Sequence, residues 1–127
     1  MTGIDCDPEI EEQDVSWSLE FSGISLAIMI QETEDEFADC MSIVAWLVTL
    51  PNHNLLPFYR RLLRMNSGLT GNALCLLEPD QVVLRHSRPL LGLEGREITD
   101  TIQNIITRAS ALIDIFVEEF DANPSRF

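Results

Sequence analysis

The chain has 127 residues, 46% of them apolar, and a formal net charge of −13 from 21 acids against 8 arginines, with no lysine. Length and apolar content point to one folded domain with its own core. The acidity argues against nucleic acid and anionic lipid as partners, since both are bound through clustered Lys and Arg.

Residues 1–14, MTGIDCDPEIEEQD, read as an acidic N-terminal segment lacking the basic and apolar regions of a signal peptide. Asp5, Asp7 and Glu9 begin like a calcium loop, but Ile10 and Ser16 stand where its glycine and its bidentate glutamate belong, so a solvated charge run is expected and no metal. Val15, Trp17, Leu19 and Phe21 then alternate with Ser16, Ser18, Glu20 and Ser22, the period-two signature of a strand with one wet face. Ser22-Gly23 supplies a turn, and Ile24, Leu26, Ile28 and Ile30 repeat the alternation against Ser25, Ala27, Met29 and Gln31. The acidic run of residues 32–36 reads as a hairpin tip.

A third strand follows in FADCMSIVAWLVTL, and short connections make the three an antiparallel meander. Met41, Ile43, Ala45 and Leu47 fall on one side and Val44, Trp46 and Val48 on the other, so both faces are apolar. Its apolar run is about half of the roughly 20 residues that a membrane helix needs, so a cytoplasmic protein is expected.

Pro51 ends that strand, and Asn54 is a plausible cap with Pro57 tolerated in the first helical turn. Leu55, Phe58, Tyr59, Leu62 and Met65 then share one helix face, with Arg60, Arg61 and Arg64 on the other, until Gly68 offers a left-handed ending. Residues 1–59 carry 12 of the 21 acids and no arginine, so these three arginines read first as internal charge balance and second as a grip on an acidic partner. ALCLLEPDQVVLRHS reads as a second hairpin, with Pro79 placed for a type I turn. Thr99 and Asp100 then start a long helix with the apolar stripe Ile102, Ile105, Ile106, Ala109, Leu112, Ile113, Phe116 and Val117, ending near Phe120. The expected fold is α+β: element order β-β-β-α-β-β-α, a five-stranded antiparallel sheet with both helices mainly on one face, a single domain over residues 15–120 and a tail over 121–127.

MNSGLTGNALCLLEPDQVVLRHSRPLLGLEGREIT resembles the central block of the YbjN-like domain, a family related in fold to type III secretion chaperones. The likeness rests on the asparagine-bearing helix end, the strand Ala73–Leu77, an acidic turn, a strand ending near Arg85 and Ser87, and a loop of proline, leucines and glycine before the last helix. It implies a protein-binding adaptor, often dimeric, and no catalytic set.

Catalysis finds no support in the residues. His53 and His86 have no nucleophile motif around them, and nothing like GxSxG surrounds a serine. Cys6, Cys40 and Cys75 are far apart without CxxC pairing and read as reduced thiols, not zinc ligands. No cofactor is expected. The candidate interaction surface is instead the second sheet face, formed by Ala27, Met29, Val44, Trp46 and Val48, which an all-one-face helix layer would leave bare. The expected function is a non-enzymatic, homodimeric adaptor or chaperone-like module recognising a protein client; the alternative is a small-molecule sensor with a pocket between the long helix and the sheet near Trp17 and His86.

Overall fold

The computed structural model describes residues 15–32 and 39–125. The acidic N-terminal segment, with its calcium-like start, and most of the expected acidic hairpin tip lie outside the described residues. Strands β1 (Val15–Phe21), β2 (Ile24–Gln31) and β3 (Cys40–Thr49) precede helix α1 (Leu55–Gly68); β4 (Asn72–Leu77), β5 (Gln81–Pro89), helix α2 (Gly95–Phe120) and the two-residue β6 (Asn123–Pro124) follow. The sheet is antiparallel with spatial order β1-β2-β3-β5-β4, and β6 joins it beside β3.

The first hairpin closes as its residues dictate. Ser22 and Gly23 have φ of 52° and 82°, the paired positive values of a two-residue turn whose twist matches its strands. Register then puts Trp17 opposite Ile28 and Leu19 opposite Leu26, while Ser18 faces Ala27. One face is therefore apolar and the other mixed. Both helices lie on the apolar face, where Phe58 and Leu62 of α1 and Ile105, Ala109, Leu112 and Phe116 of α2 join Leu26, Ile28, Ile43 and Leu84 in the core. Ala45 on β3 and Ala109 on α2 are both fully buried, and two such small residues let a helix lie close on a strand. Phe58 links the helices, its ring centroid 5.4 Å from that of Phe116 and 5.0 Å from that of Phe120.

The sheet has six strands, one more than expected, because β3 outruns its neighbour. Pairing of β2 with β3 ends at Leu26 and Ala45, so the last residues of β3 run on beyond β2. Asp121, in the left-handed conformation at φ 55°, ends α2 and turns the chain back. Asn123 and Pro124 then pair with Thr49 and Val48, and the Ser125 N–H donates to the Leu47 carbonyl at 3.0 Å. The segment read as a tail thus satisfies a strand overhang that would otherwise strand polar backbone.

Three local expectations change. Helix α2 starts four residues early, at Gly95, where Glu97 sits in the first turn and takes an ion pair from Arg88 at 2.5 Å; an acid there suits the positive end of a helix. Asn54 precedes α1 in a left-handed conformation and offers its carbonyl to Phe58 N, with no side-chain cap. Gly68 is not the left-handed closure, since Leu69 caps α1 in an extended conformation. The second hairpin turns through residues 78–80, with Leu77 paired with Gln81 and a cis Glu78–Pro79 peptide.

Asn66 explains why an asparagine belongs at that helix end. Its amide oxygen accepts from Leu74 N at 2.7 Å and its nitrogen donates to Leu74 O at 3.2 Å, so the side chain pairs with the open edge of β4 as a strand would. Replacing Asn66 with Ala removes both bonds and leaves a part-buried N–H unpaired, with an expected cost of about 2 kcal/mol. Urea unfolding with an unchanged m-value, together with faster hydrogen exchange at the Leu74 amide, is the expected result.

Candidate functional site

Three surfaces carry candidate side chains. The first is the sheet face opposite the helices. Ladder pairs Ala27–Val44, Met29–Ser42, Val44–Arg85 and Trp46–Val83 place Ala27, Met29, Val44 and Trp46 together there. Val48 does not join them. The register slips between Trp46 and Val48, so that Leu47 is an extra residue: Trp46 faces Val83, but Val48 faces Val82. That bulge carries Val48 to the helix side, where it and Leu47 are both fully buried in the core. Val44 is buried as well, leaving Ala27, Met29 and Trp46 half-buried. The expected five-residue apolar patch is thus reduced to three partly covered side chains.

Cysteine chemistry at this face also differs from the expectation. Cys40 is disulfide-bonded, and Cys75 is free; Cys6 lies outside the described residues. Burial pushes the Cys75 thiol above its ordinary pKa, with Arg85 opposing the shift. A protonated thiol is a poor nucleophile.

The second surface is α1. Its three arginines part company. Arg61 forms a bidentate pair with Glu119 of α2, Nε to Oε1 at 2.9 Å and Nη2 to Oε2 at 3.0 Å. Arg61 is thus paired within the chain, but with an acid of the C-terminal helix and not with the acidic residues 1–59 that it was expected to balance. Arg60 and Arg64 make no ion pair among the described residues. They flank Leu56 and Leu63, which are 68% and 71% exposed. At about 100° per residue, Leu56, Arg60 and Leu63 fall on one stripe, opposite the buried Phe58 and Leu62. A shallow groove of about 320 Å³ lies on the α2 side of this stripe, lined by Leu56, Pro57, Arg60, Arg61, Arg64 and Phe120, while Leu63 stands outside it.

The third surface is a cavity of about 130 Å³ between α2 and the β4–β5 end of the sheet. Thr101, Asn104 and Arg108 reach it from α2, Asn72 from β4 and His86 from β5. His86 Nδ1 lies 2.8 Å from the Gly71 carbonyl. The Asn72 amide satisfies both neighbours when its oxygen accepts from Arg108 Nη1 at 2.5 Å and its nitrogen donates to the Gly71 carbonyl at 3.2 Å. Trp17, expected near this pocket, stands instead on the edge strand β1 at the far end of the sheet, 48% exposed. The sequence singled out His86 but not Asn72 or Arg108. The one available signal was the polar spacing of Thr101, Asn104 and Arg108 beside the apolar stripe of α2.

The described residues include no group of three or more His, Cys, Asp or Glu placed to hold a metal ion, and no helix long and apolar enough to cross a membrane. Residues 2–119 match the family model of YbjN, described as "Putative bacterial sensory transduction regulator". No curated protein matches the chain.

Two outcomes are expected. Arg61 and Glu119 side chains are 37% and 43% exposed, so a double-mutant cycle with Arg61→Ala and Glu119→Ala gives a coupling below about 1 kcal/mol that shrinks with salt. Alkylation of Cys75 by iodoacetamide is slow at neutral pH, and its rate still climbs above pH ~8.5, where an ordinary thiol begins to level off.

Proposed function

The chain belongs to the YbjN family, and from that premise we propose that it is a regulatory adaptor that binds a second protein through the exposed face of α1. The observation that carries this reading is the stripe Leu56, Arg60 and Leu63, in which two largely exposed leucines bracket an arginine. Each leucine held in water forgoes about 1.5–3 kcal/mol that burial would supply, a cost that a partner relieves. Leucine and guanidinium offer recognition, not chemistry, so the role is a non-enzymatic one.

The partner's chemistry follows from the same side chains. It needs an apolar ridge to cover Leu56 and Leu63 and carboxylates for Arg60 and Arg64, whose planar forks suit bidentate contacts. An acidic amphipathic segment of another protein meets both needs. Nucleic acid meets only the second, and its phosphates would face a chain of net charge −13. The role that the sequence placed on the sheet face passes to α1, because Val48 is in the core and Val44 is buried.

The test uses the native chain and a Leu56→Ser, Leu63→Asp variant as paired baits. A protein retained by the native chain and lost from the variant is expected, its retention falling as salt rises. Arg60→Glu with Arg64→Glu should weaken that complex about tenfold, mostly through slower association. Equal retention by native chain and leucine variant sinks the reading, as does a preference for nucleic acid with a steep salt slope.

A further inference from the structure

We infer that β1 is a dimerisation edge, along which a second copy of this chain adds its own β1 antiparallel and joins two sheets into one. The sheet has two ends, and the fold treats them differently. At the β4 end the Asn66 side chain takes up the N–H and carbonyl of Leu74, and α1 packs beside the strand. At the β1 end no described strand pairs on the outer side. Natural edges are blunted by lysine, proline, bulges or short length. β1 has none of these and a single charge, Glu20: VSWSLEF runs seven residues in unbroken register with β2. Trp17 and Phe21 stand 48% and 44% exposed on it.

The backbone fixes how a partner strand would pair. Phe21 and Ile24 close a two-residue turn as a hydrogen-bonded pair, so Leu19 and Trp17 also direct their N–H and carbonyl groups to β2. Those of Ser16, Ser18 and Glu20 point the other way, to the open edge. This outward set is symmetric about Ser18. A two-fold axis there sets Ser18 opposite the Ser18 of the copy and Ser16 opposite its Glu20, so every outward N–H and carbonyl of the strand finds a partner.

Side chains choose that register and that occupant. Trp17 falls opposite the Leu19 of the copy in a non-hydrogen-bonded pair, the arrangement that brings side chains closest. On the other face Glu20 meets a serine, and no acid faces an acid. An axis at Trp17 would set Asp14 against Glu20, and one at Leu19 would set Ser16 against Ser22, in the positive-φ turn. The backbone would accept any extended strand; the charge and side-chain match across the axis singles out a second copy. One strand pair is a small contact beside the roughly 1,200–2,000 Å² of a standard interface, and two chains of net charge −13 repel, so the dimer is a weak one.

Sedimentation equilibrium of the full chain tests this with no other protein present, so the outcome is independent of the α1 reading. A reversible monomer–dimer equilibrium in the micromolar range is expected, strengthened by salt because screening relieves the repulsion between two acidic chains. Ser18→Pro removes only an outward N–H, which an edge strand tolerates, and should give a monomer whose circular dichroism is that of the native fold. Ser16→Glu sets acid against acid on both sides of the axis and should weaken the dimer about fivefold, and adding Glu20→Arg should restore it. If the proline variant does not fold, the Ser16 and Glu20 variants decide. A monomer at hundreds of micromolar, a dimer that salt dissociates, a dimer that a folded Ser18→Pro variant keeps, or failure of Glu20→Arg to restore the Ser16→Glu variant each overturns the inference.

Discussion

Strand β3 is the constraint from which the rest follows. It lies between β2 and β5, with α2 packed across its inner face, and seven of its ten residues are apolar and buried. It is also longer than the β2 segment that pairs with it, and its ladder with β5 carries a bulge. Leu47 is the extra residue in that ladder, and Leu47 and Val48 both enter the core. On the β2 side the end of β3 pairs with β6, so a segment after α2 completes the sheet that the N-terminal half began.

The helices are placed by a few contacts of different kinds. Phe58 of α1 fills the space beside Phe116 and Phe120 of α2, so apolar packing sets their approach. Asn66 fixes the other end of α1 to β4 through two directed hydrogen bonds. The Arg61–Glu119 pair lies at the surface, where solvent screening leaves ion pairs little energy, and serves mainly to take one guanidinium out of circulation. What remains exposed on α1 is the face that packing did not need. A docking surface there, as proposed, would cost the fold little.

The proposed docking face and the cavity beside α2 share one structural neighbour. Thr70 follows the cap of α1 directly and lines the cavity, within reach of Arg108 on α2.

Much of this architecture is legible in the residues. Period-two alternation in Val15–Phe21 and Ile24–Gln31 follows from the pleat, the Ser22-Gly23 turn from its tolerance of positive φ, and the apolar stripes of both helices from a 3.6-residue turn. These are short-range steric facts, carried by neighbours in the chain. The residue block around Asn66 was likewise readable as a family mark, although its purpose was not. Tertiary structure alone decided that Val48 turns inward, because a bulge arises from what packs above and beside a strand. It also decided that residues 123–124 become a strand, that Arg61 meets Glu119 across 58 positions of sequence, and that Asn72, His86 and Arg108 wall one cavity. Each depends on contacts between segments that approach only after the sheet and helices have packed, and no local period along the chain encodes such a meeting.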